Sequence, residues 1–476
     1  MLNIKIPVGA KAAIVYTIAN VLSRGLAIIT MPIFTRVMPT SEIGVVSLYN
    51  AWFAMISCLS TLSLTSGGFS VGLTEFHEKR KEYISSILTL TSLLSCLIAI
   101  IYFLRPSFWN KITGLSPQLM HMLIFSLLVT PATELWLAHQ RYEYKYKASA
   151  LLVGISALLA SLSSLAIVLI MNQKGMKNLS EGRLYGQEFI VLGVASVLWC
   201  CLMVRGRTFI NIQYWKFSLS LSLPLVGYAI ASQILGVSDR VMIGTMVGDG
   251  AVGIYSTVYS VSSLFTMVWT AINASFVPYL YQNIGKDNKS IRKISFNILL
   301  GYSLVSVVCV FMAPEVVRIL ATKEYYEAIY IMPPIAIGVF MTSISNMYSN
   351  ILLYLKKSKY IMYASAIAAA LNVILNLVCI PAWGYMAAAY TTMFSYIAML
   401  AILMIFTIKN FKVQKQQNLS DVYGNKKIVV LATILALVLL FGILLYKYYI
   451  IRYILVALIL LYLSVYILRI VRNSDG

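Results

Sequence analysis

The sequence predicts an all-α integral membrane protein of about fourteen transmembrane helices, two six-helix bundles followed by a C-terminal pair, and three observations predict it. Sixty per cent of the 476 residues are hydrophobic and only 11% are charged, with a mean hydropathy of +0.83, far from the balance of a soluble domain. Apolar runs of about 20 residues recur along the chain, the length at which a helix satisfies every backbone N–H and C=O across hydrocarbon. A weak internal repeat at an offset of 209 residues pairs the first half with the second.

In order, the spans lie at approximately 11–36, 43–70, 83–104, 117–137, 149–171, 187–204, 218–247, 251–280, 294–314, 328–354, 360–380, 384–408, 428–446 and 451–468. The loops between them are short, the longest being roughly 410–427, and hold no soluble domain. The first run contains Asn20 and Arg24 and lacks a small-residue cleavage pattern, so it reads as a retained helix and not a signal peptide.

Short cytoplasmic loops carry the excess of Lys and Arg. An even number of spans puts both termini on one side. If that side is cytoplasmic it holds 25 basic residues, among them Lys79, Arg80, Lys81, Lys356, Lys357 and Lys359, against 10 opposite. The remaining two of the 37, Arg24 and Arg240, fall at membrane depth. A net charge of +21 is therefore accounted for by loops facing anionic lipid, with no basic domain to bind nucleic acid. The six cysteines all fall in predicted spans without metal-ligand spacing, and His77, His121 and His139 are scattered, so no metal, cofactor or catalytic constellation is expected.

The repeat aligns VMPTSEIGVVSLYNAW (37–52) with TMVGDGAVGIYSTVYSV (245–261), Gly44 with Gly253 and Ile43 with Val252. It divides the chain into bundles at 1–209 and 210–409, leaving 410–476 as an additional pair whose aliphatic sequence suits a lipid-facing position.

Ionisable groups at membrane depth cost about 2.5–3.5 kcal/mol to insert and normally face a bundle interior or a wet cavity. Four stand out: Arg24 in span 1, Glu134 in span 4, and Asp239 and Arg240 in span 7. Amides and hydroxyls recur at helical spacing around them, Asn346 and Asn350, Asn372 and Asn376, and Ser256, Ser260 and Ser263. The stripes fit a cavity lining or interhelical hydrogen-bond glue. The charges fit cavity cations with coupling acids, or structural ion pairs such as Arg24 with Glu134. Neighbouring helical residues point about 100° apart, so Asp239 and Arg240 are not expected to aim at one spot. Pro32, Pro131, Pro224 and Pro278 lie in or beside these helices as candidate hinges.

The stretches PIFTRVMPTSEIGVVSLYNAW (32–52), SDRVMIG (238–244), VGIYSTVYSV (252–261) and GYMAAAYTTMFSY (384–396), in this order along fourteen spans, resemble the Wzx-type O-antigen and polysaccharide flippases of the multidrug, oligosaccharidyl-lipid and polysaccharide exporter superfamily. The resemblance implies a V-shaped alternating-access transporter, not an enzyme, in the bacterial cell inner membrane. Its expected cargo is an undecaprenyl-pyrophosphate-linked oligosaccharide, moved from the cytoplasmic to the outer leaflet. By that likeness Arg24 and Arg240 are cavity cations for the pyrophosphate or acidic sugars, in a monomer with polysaccharide polymerase or chain-length proteins as candidate partners. Lipid II or drug export by the same superfamily, and less readily a membrane polysaccharide polymerase, are the alternatives. Span 1 offers an Arg and no acid, which lowers the drug-export reading. The longest outer loops, about 172–186 and 314–327, are modest for a polymerase.

Overall fold

The computed structural model describes residues 8–65, 67–415 and 418–474; the side chains of 8–14, 16–22, 24, 67, 263, 264 and 466–474 lie outside the described set. The described residues form helices joined by short turns, with no strand. The first half comprises α1 (Val8–Val37), α2 (Thr40–Thr61), α3 (Gly67–Glu75), α4 (Arg80–Leu104), α5 (Pro106–Thr113), α6 (Pro117–Tyr142), α7 (Tyr146–Gln173), α8 (Leu179–Gly206) and α9 (Ile212–Met246). There follow α10 (Asp249–Asn283), α11 (Asn288–Phe311), α12 (Ala313–Leu320), α13 (Met332–Tyr354), α14 (Lys359–Trp383), α15 (Met386–Lys415), α16 (Leu419–Tyr423), α17 (Asn425–Gly442) and α18 (Tyr449–Ser474). Two 3₁₀ segments, Lys323–Ile331 and Ile443–Lys447, lead into α13 and α18.

Among the described residues twelve helical segments are long and apolar enough to cross a membrane, and the fully described parts of α1 and α18 that are apolar, Gly25–Val37 and Tyr449–Val465, are shorter. Helix starts are set locally. Asn211 accepts from the N–H groups of Gln213 and Tyr214 at 3.0 and 3.2 Å, Asp287 from Ser290 at 3.1 Å, and Ser116 with Pro117 behind it opens α6. Pro32, Pro131, Pro224 and Pro278 lie inside α1, α6, α9 and α10, which continue through them.

The expected single span 43–70 is two pieces. Helix α2 ends at Thr61, Leu62 and Ser63 take left-handed φ values of 45° and 57°, and α3 restarts at Gly67. The hydroxyls of Ser60 and Thr61 turn back onto the Ser57 carbonyl, a local alternative to the helical ladder in a run, TLSLTSGG, that has little helix preference.

The chain clusters into two compact units, residues 1–253 and 254–476. In the first, α9 packs along α2, α3 and α4, while α6 and α8 flank α2 and α4. One end of it is closed by an aromatic cluster, with Phe76 in contact with Tyr83, Tyr214 and Phe217 at ring separations of 4.6–5.3 Å. Tyr83 shares a hydrogen bond of 2.8 Å with Ser218, and Trp215 donates to the Ser86 carbonyl at 2.9 Å. In the second unit α13 is the central helix, in contact with α14, α15 and α17.

The starts of α2 and α10 meet in the first unit. A methyl group added to Gly44 would overlap the Asp249 carbonyl, and one added to Gly253 would overlap the Thr40 carbonyl. Only glycine permits so close a backbone approach.

Candidate functional site

Candidate residues of the first unit gather at two depths. Nearer the basic loops is the break between α2 and α3. Thr65, in the unwound stretch, hydrogen-bonds the carboxylate of Glu134 on α6, which also feels the charge of Arg141. Glu134 is eight residues, about 12 Å of helix, from the end of α6, and its side chain is exposed rather than packed away. Non-helical backbone at such depth is tolerated where protein or water satisfies it, and broken helices commonly mark transport sites. Hydropathy runs straight through the break, so the sequence reading missed Thr65. The TSGG at 65–68 was the available signal.

Nearer the opposite end lies Glu188 on α8, 8% exposed. Ser126 donates to its Oε2 and Gln187 to its Oε1, both at 3.4 Å, and the Tyr49 hydroxyl lies 3.2 Å from Ser126. A buried carboxylate is normally paired, yet among the described residues its hydrogen-bonding partners are neutral. Glu188 did not figure in the sequence reading because span 6 was expected to begin at 187. Helix α8 begins at Leu179, which carries Glu188 inward by more than two turns.

Asp239 and Arg240 do meet, contrary to the expectation from backbone direction. Asp239 Oδ1 accepts from the Arg240 backbone N–H at 2.8 Å and from its Nη1 at 3.1 Å, and Nη1 also donates to the Gly236 carbonyl at 2.8 Å. The Cα–Cβ directions diverge by about 100°, but the guanidinium sits on a stem long enough to curl back one turn. The Asp239 side chain is 2% exposed and that of Arg240 is 13% exposed, so the cation keeps the access to solvent. Arg24 lies on α1, but its side chain is outside the described residues.

The amide stripes differ from one another. Asn372 and Asn376 are wholly buried between α14 and α15. Asn376 donates to Asn372 at 3.2 Å, Asn372 donates to Thr392 at 3.1 Å, and Thr391 donates to Asn376. That is an interhelical network with no surface left to meet a cavity. Asn350 is 7% exposed and donates to Asn273 at 2.9 Å, whereas Asn346, one turn away on α13, is half-buried. Ser260 donates to the Ser256 carbonyl at 2.7 Å, and the buried Ser256 hydroxyl has no hydrogen-bond partner among the described residues. Ser263 lies outside the described residues. No group of three or more His, Cys, Asp or Glu suited to a metal occurs among the described residues.

Spanning helices, one of them broken beside an accessible carboxylate, and charges held at membrane depth mark a multi-pass membrane protein, and its fold is that of transporters of the multidrug, oligosaccharidyl-lipid and polysaccharide exporter superfamily. A family profile described as "Polysaccharide biosynthesis protein" matches residues 10–284, more than half of the chain, and the chain belongs to that family. A second profile, MatE, matches residues 224–378.

Among solved structures, one described as "Lipid II flippase MurJ, inward closed conformation" is similar at a TM-score of 0.69 and 15% identity, over 96% of this chain and 99% of that one. An inward-facing multidrug resistance MATE family transporter is similar at 0.62 and 13%, over 84% and 96%. A transporter of the superfamily from Pyrococcus furiosus, described as having a binding pocket of reverse polarity, is similar at 0.54 and 14%, over 88% and 96%. At these identities the likeness is one of fold. No curated protein matches the sequence.

Proposed function

We propose that the chain is a flippase that moves an undecaprenyl-pyrophosphate-linked oligosaccharide repeat unit, of O-antigen, capsule or a related polysaccharide, to the outer leaflet of the bacterial cytoplasmic membrane. The observation that carries the reading is the match to the polysaccharide biosynthesis family over residues 10–284. The fold supports it, since its neighbours include a lipid-linked glycan flippase. The excess of Lys and Arg on one set of loops supports placing both termini in the cytoplasm.

In this reading Arg24 and Arg240 meet the pyrophosphate or acidic sugars. A guanidinium suits the task because it stays charged and its planar fork matches phosphate oxygens. Asp239 offsets the charge of Arg240 before cargo arrives, and an incoming phosphate competes with the carboxylate for the same fork. Glu134, accessible beside the broken helix, and Asp239 are the coupling acids. The half-buried Asn346 and Ser260 supply polar surface for hydroxyls, with the buried Asn350 and Ser256 beside them on the same helices. An inside-negative potential favours outward movement of an anion by about 2.3 kcal/mol per charge per 100 mV.

The test is a strain lacking the gene together with proteoliposomes of the purified chain. The expected results are trapping of single lipid-linked units on the cytoplasmic face, and flipping of a labelled undecaprenyl-pyrophosphate oligosaccharide that responds to imposed potential. Accumulation of single units on the outer face in the deletion strain would instead identify a polymerase, and transport of lipid II or of a cationic drug in place of the oligosaccharide would reassign the cargo.

A further inference from the structure

A second polar site lies in the second unit, where α12, the 3₁₀ segment Lys323–Ile331, the segment Ile443–Lys447 and the start of α18 converge. They line a half-open cavity of about 560 Å³, within the range of small-molecule sites. Its lining is neither lipid-like nor simply basic. Five tyrosines, among them Tyr326, Tyr330 and Tyr449, share the wall with Arg318, Lys447 and Arg452.

The cavity is built on an ion pair. Arg452 is 2% exposed, and its Nη atoms reach the two carboxylate oxygens of Glu315 at 2.6 and 2.7 Å and the Phe311 carbonyl. Tyr453 donates to Glu315 at 3.0 Å. Arg452 and Glu315 thus neutralise each other, and Arg452 Nε is buried without a hydrogen-bond partner among the described residues. Arg318 and Lys447 are exposed, and among the described residues neither has a carboxylate within ion-pair distance. Arg318 is instead 5.9 Å from the Tyr326 ring centre. The site therefore presents two cations with no carboxylate at ion-pair distance among the described residues, and several aromatic faces, around one cavity.

We propose that this cavity binds an anionic saccharide, a short run of sugars bearing a carboxylate or phosphate. Arg318 and Lys447 hold the anion, the tyrosine rings pack against sugar C–H faces, and their hydroxyls bond sugar hydroxyls. A lipid headgroup shares the anion but makes no use of five tyrosines gathered around one cavity. The cavity lies at the end of the second unit opposite Lys356, Lys357, Lys359, Lys426 and Lys427. Under the proposed function, on which this placement rests, that is the outer face, where glycan leaves the protein.

The experiment measures binding to the full chain in phosphatidylcholine nanodiscs by calorimetry, with trigalacturonic acid, maltotriose and glycerol 3-phosphate as probes. Trigalacturonic acid is expected to bind most tightly, about tenfold more weakly to the R318Q/K447Q variant, and normally to R318K/K447R. Both side chains are exposed, and an unchanged unfolding temperature confirms that the variants remain folded. Equal affinity of wild type and R318Q/K447Q, or tighter binding of maltotriose, overturns the proposal. Tighter binding of glycerol 3-phosphate overturns it in favour of a lipid headgroup. Flipping by the same variants is assayed separately, so that charge-dependent binding without any flipping refutes the transport reading and leaves the saccharide site standing.

Discussion

Gly44 and Gly253 make the same contact in opposite directions: Gly44 lies against the backbone of Asp249, and Gly253 lies against the backbone of Thr40. Thr40 and Asp249 are separated by 209 residues, as are the two glycines. Reciprocal contact is what a duplicated helix start produces when its copies meet about an approximate two-fold axis, each surface serving as its own complement. The weak sequence repeat thus has a physical counterpart in a crossing that leaves no room for a Cβ on either side.

Gly44→Ala and Gly253→Ala should each cost about 1–3 kcal/mol, because the obstacle is backbone and cannot rotate away. Gly236→Ala, where a Cβ meets nothing within 4 Å, should be neutral or slightly stabilising. Thermal unfolding in nanodiscs compares the three. Equal behaviour of Gly44→Ala and Gly236→Ala would show that the helix starts are not in contact.

Asp239 and Arg240 should behave as one unit. Removing the buried carboxylate by Asp239→Asn takes the counter-charge from a nearly buried guanidinium, at a cost of about 3 kcal/mol. The double variant Asp239→Asn, Arg240→Met should lose less than the two single variants combined. A double-mutant cycle on unfolding reads the difference. Charge reversal at Arg240 should abolish surface glycan at constant expression, and unchanged glycan would remove Arg240 from the substrate path.

Glu134 is accessible, so its replacement should affect transport rather than folding. Glu134→Ala is expected to leave the unfolding temperature within about 2 °C of wild type and to slow flipping severalfold. Glu134→Gln, which preserves the bond to Thr65, separates the role of charge from that of the hydrogen bond. Asn376→Leu should show the converse, a loss of about 1–3 kcal/mol through stranded partners with unaltered flipping per folded molecule. A transport defect in folded Asn376→Leu would contradict its placement as glue between α14 and α15.

Stability in acid should depend on Glu315. Burial pushes its carboxyl up, but hydrogen bonds from Arg452, its own backbone N–H and Tyr453 outweigh burial and hold it below its ordinary 4.5. The unfolded chain therefore takes up the proton first as pH falls. The contribution is complete above about 4.5 and is lost as pH drops through the folded value. Glu315→Gln should be less stable than wild type at pH 7, with the gap closing below about pH 4.5. A gap of constant size down to about pH 3 would show that the ion pair is not the source.

The helices were legible in the sequence because apolar length alone dictates them, and the repeat was legible because glycine is irreplaceable at the crossing. The break after Thr61 was not, since a hydropathy window averages over five residues of Ser, Thr and Leu. The Asp239–Arg240 pair was obscured for a different reason: helical direction describes Cβ, and the Nη1 that makes the contact lies five bonds further out. Arg452, the second residue of the expected span 451–468, did not stand out in the sequence, yet it is buried because α18 starts at Tyr449 and packs on α11, a contact that sequence neighbours cannot reveal. Residue type identified groups worth locating, and long-range packing decided which of them water can reach.

Helices α9 and α10 each run for 35 residues with only Val247 and Gly248 between them, Gly248 taking a φ of 121°. At 1.5 Å per residue each is about 52 Å long, against about 30 Å of hydrocarbon. Such rods must tilt or protrude, and a change of 10° in tilt carries a tip by about 9 Å over that length. A rod of that length thus turns a small change of tilt at one end into a displacement about the width of a helix at the other.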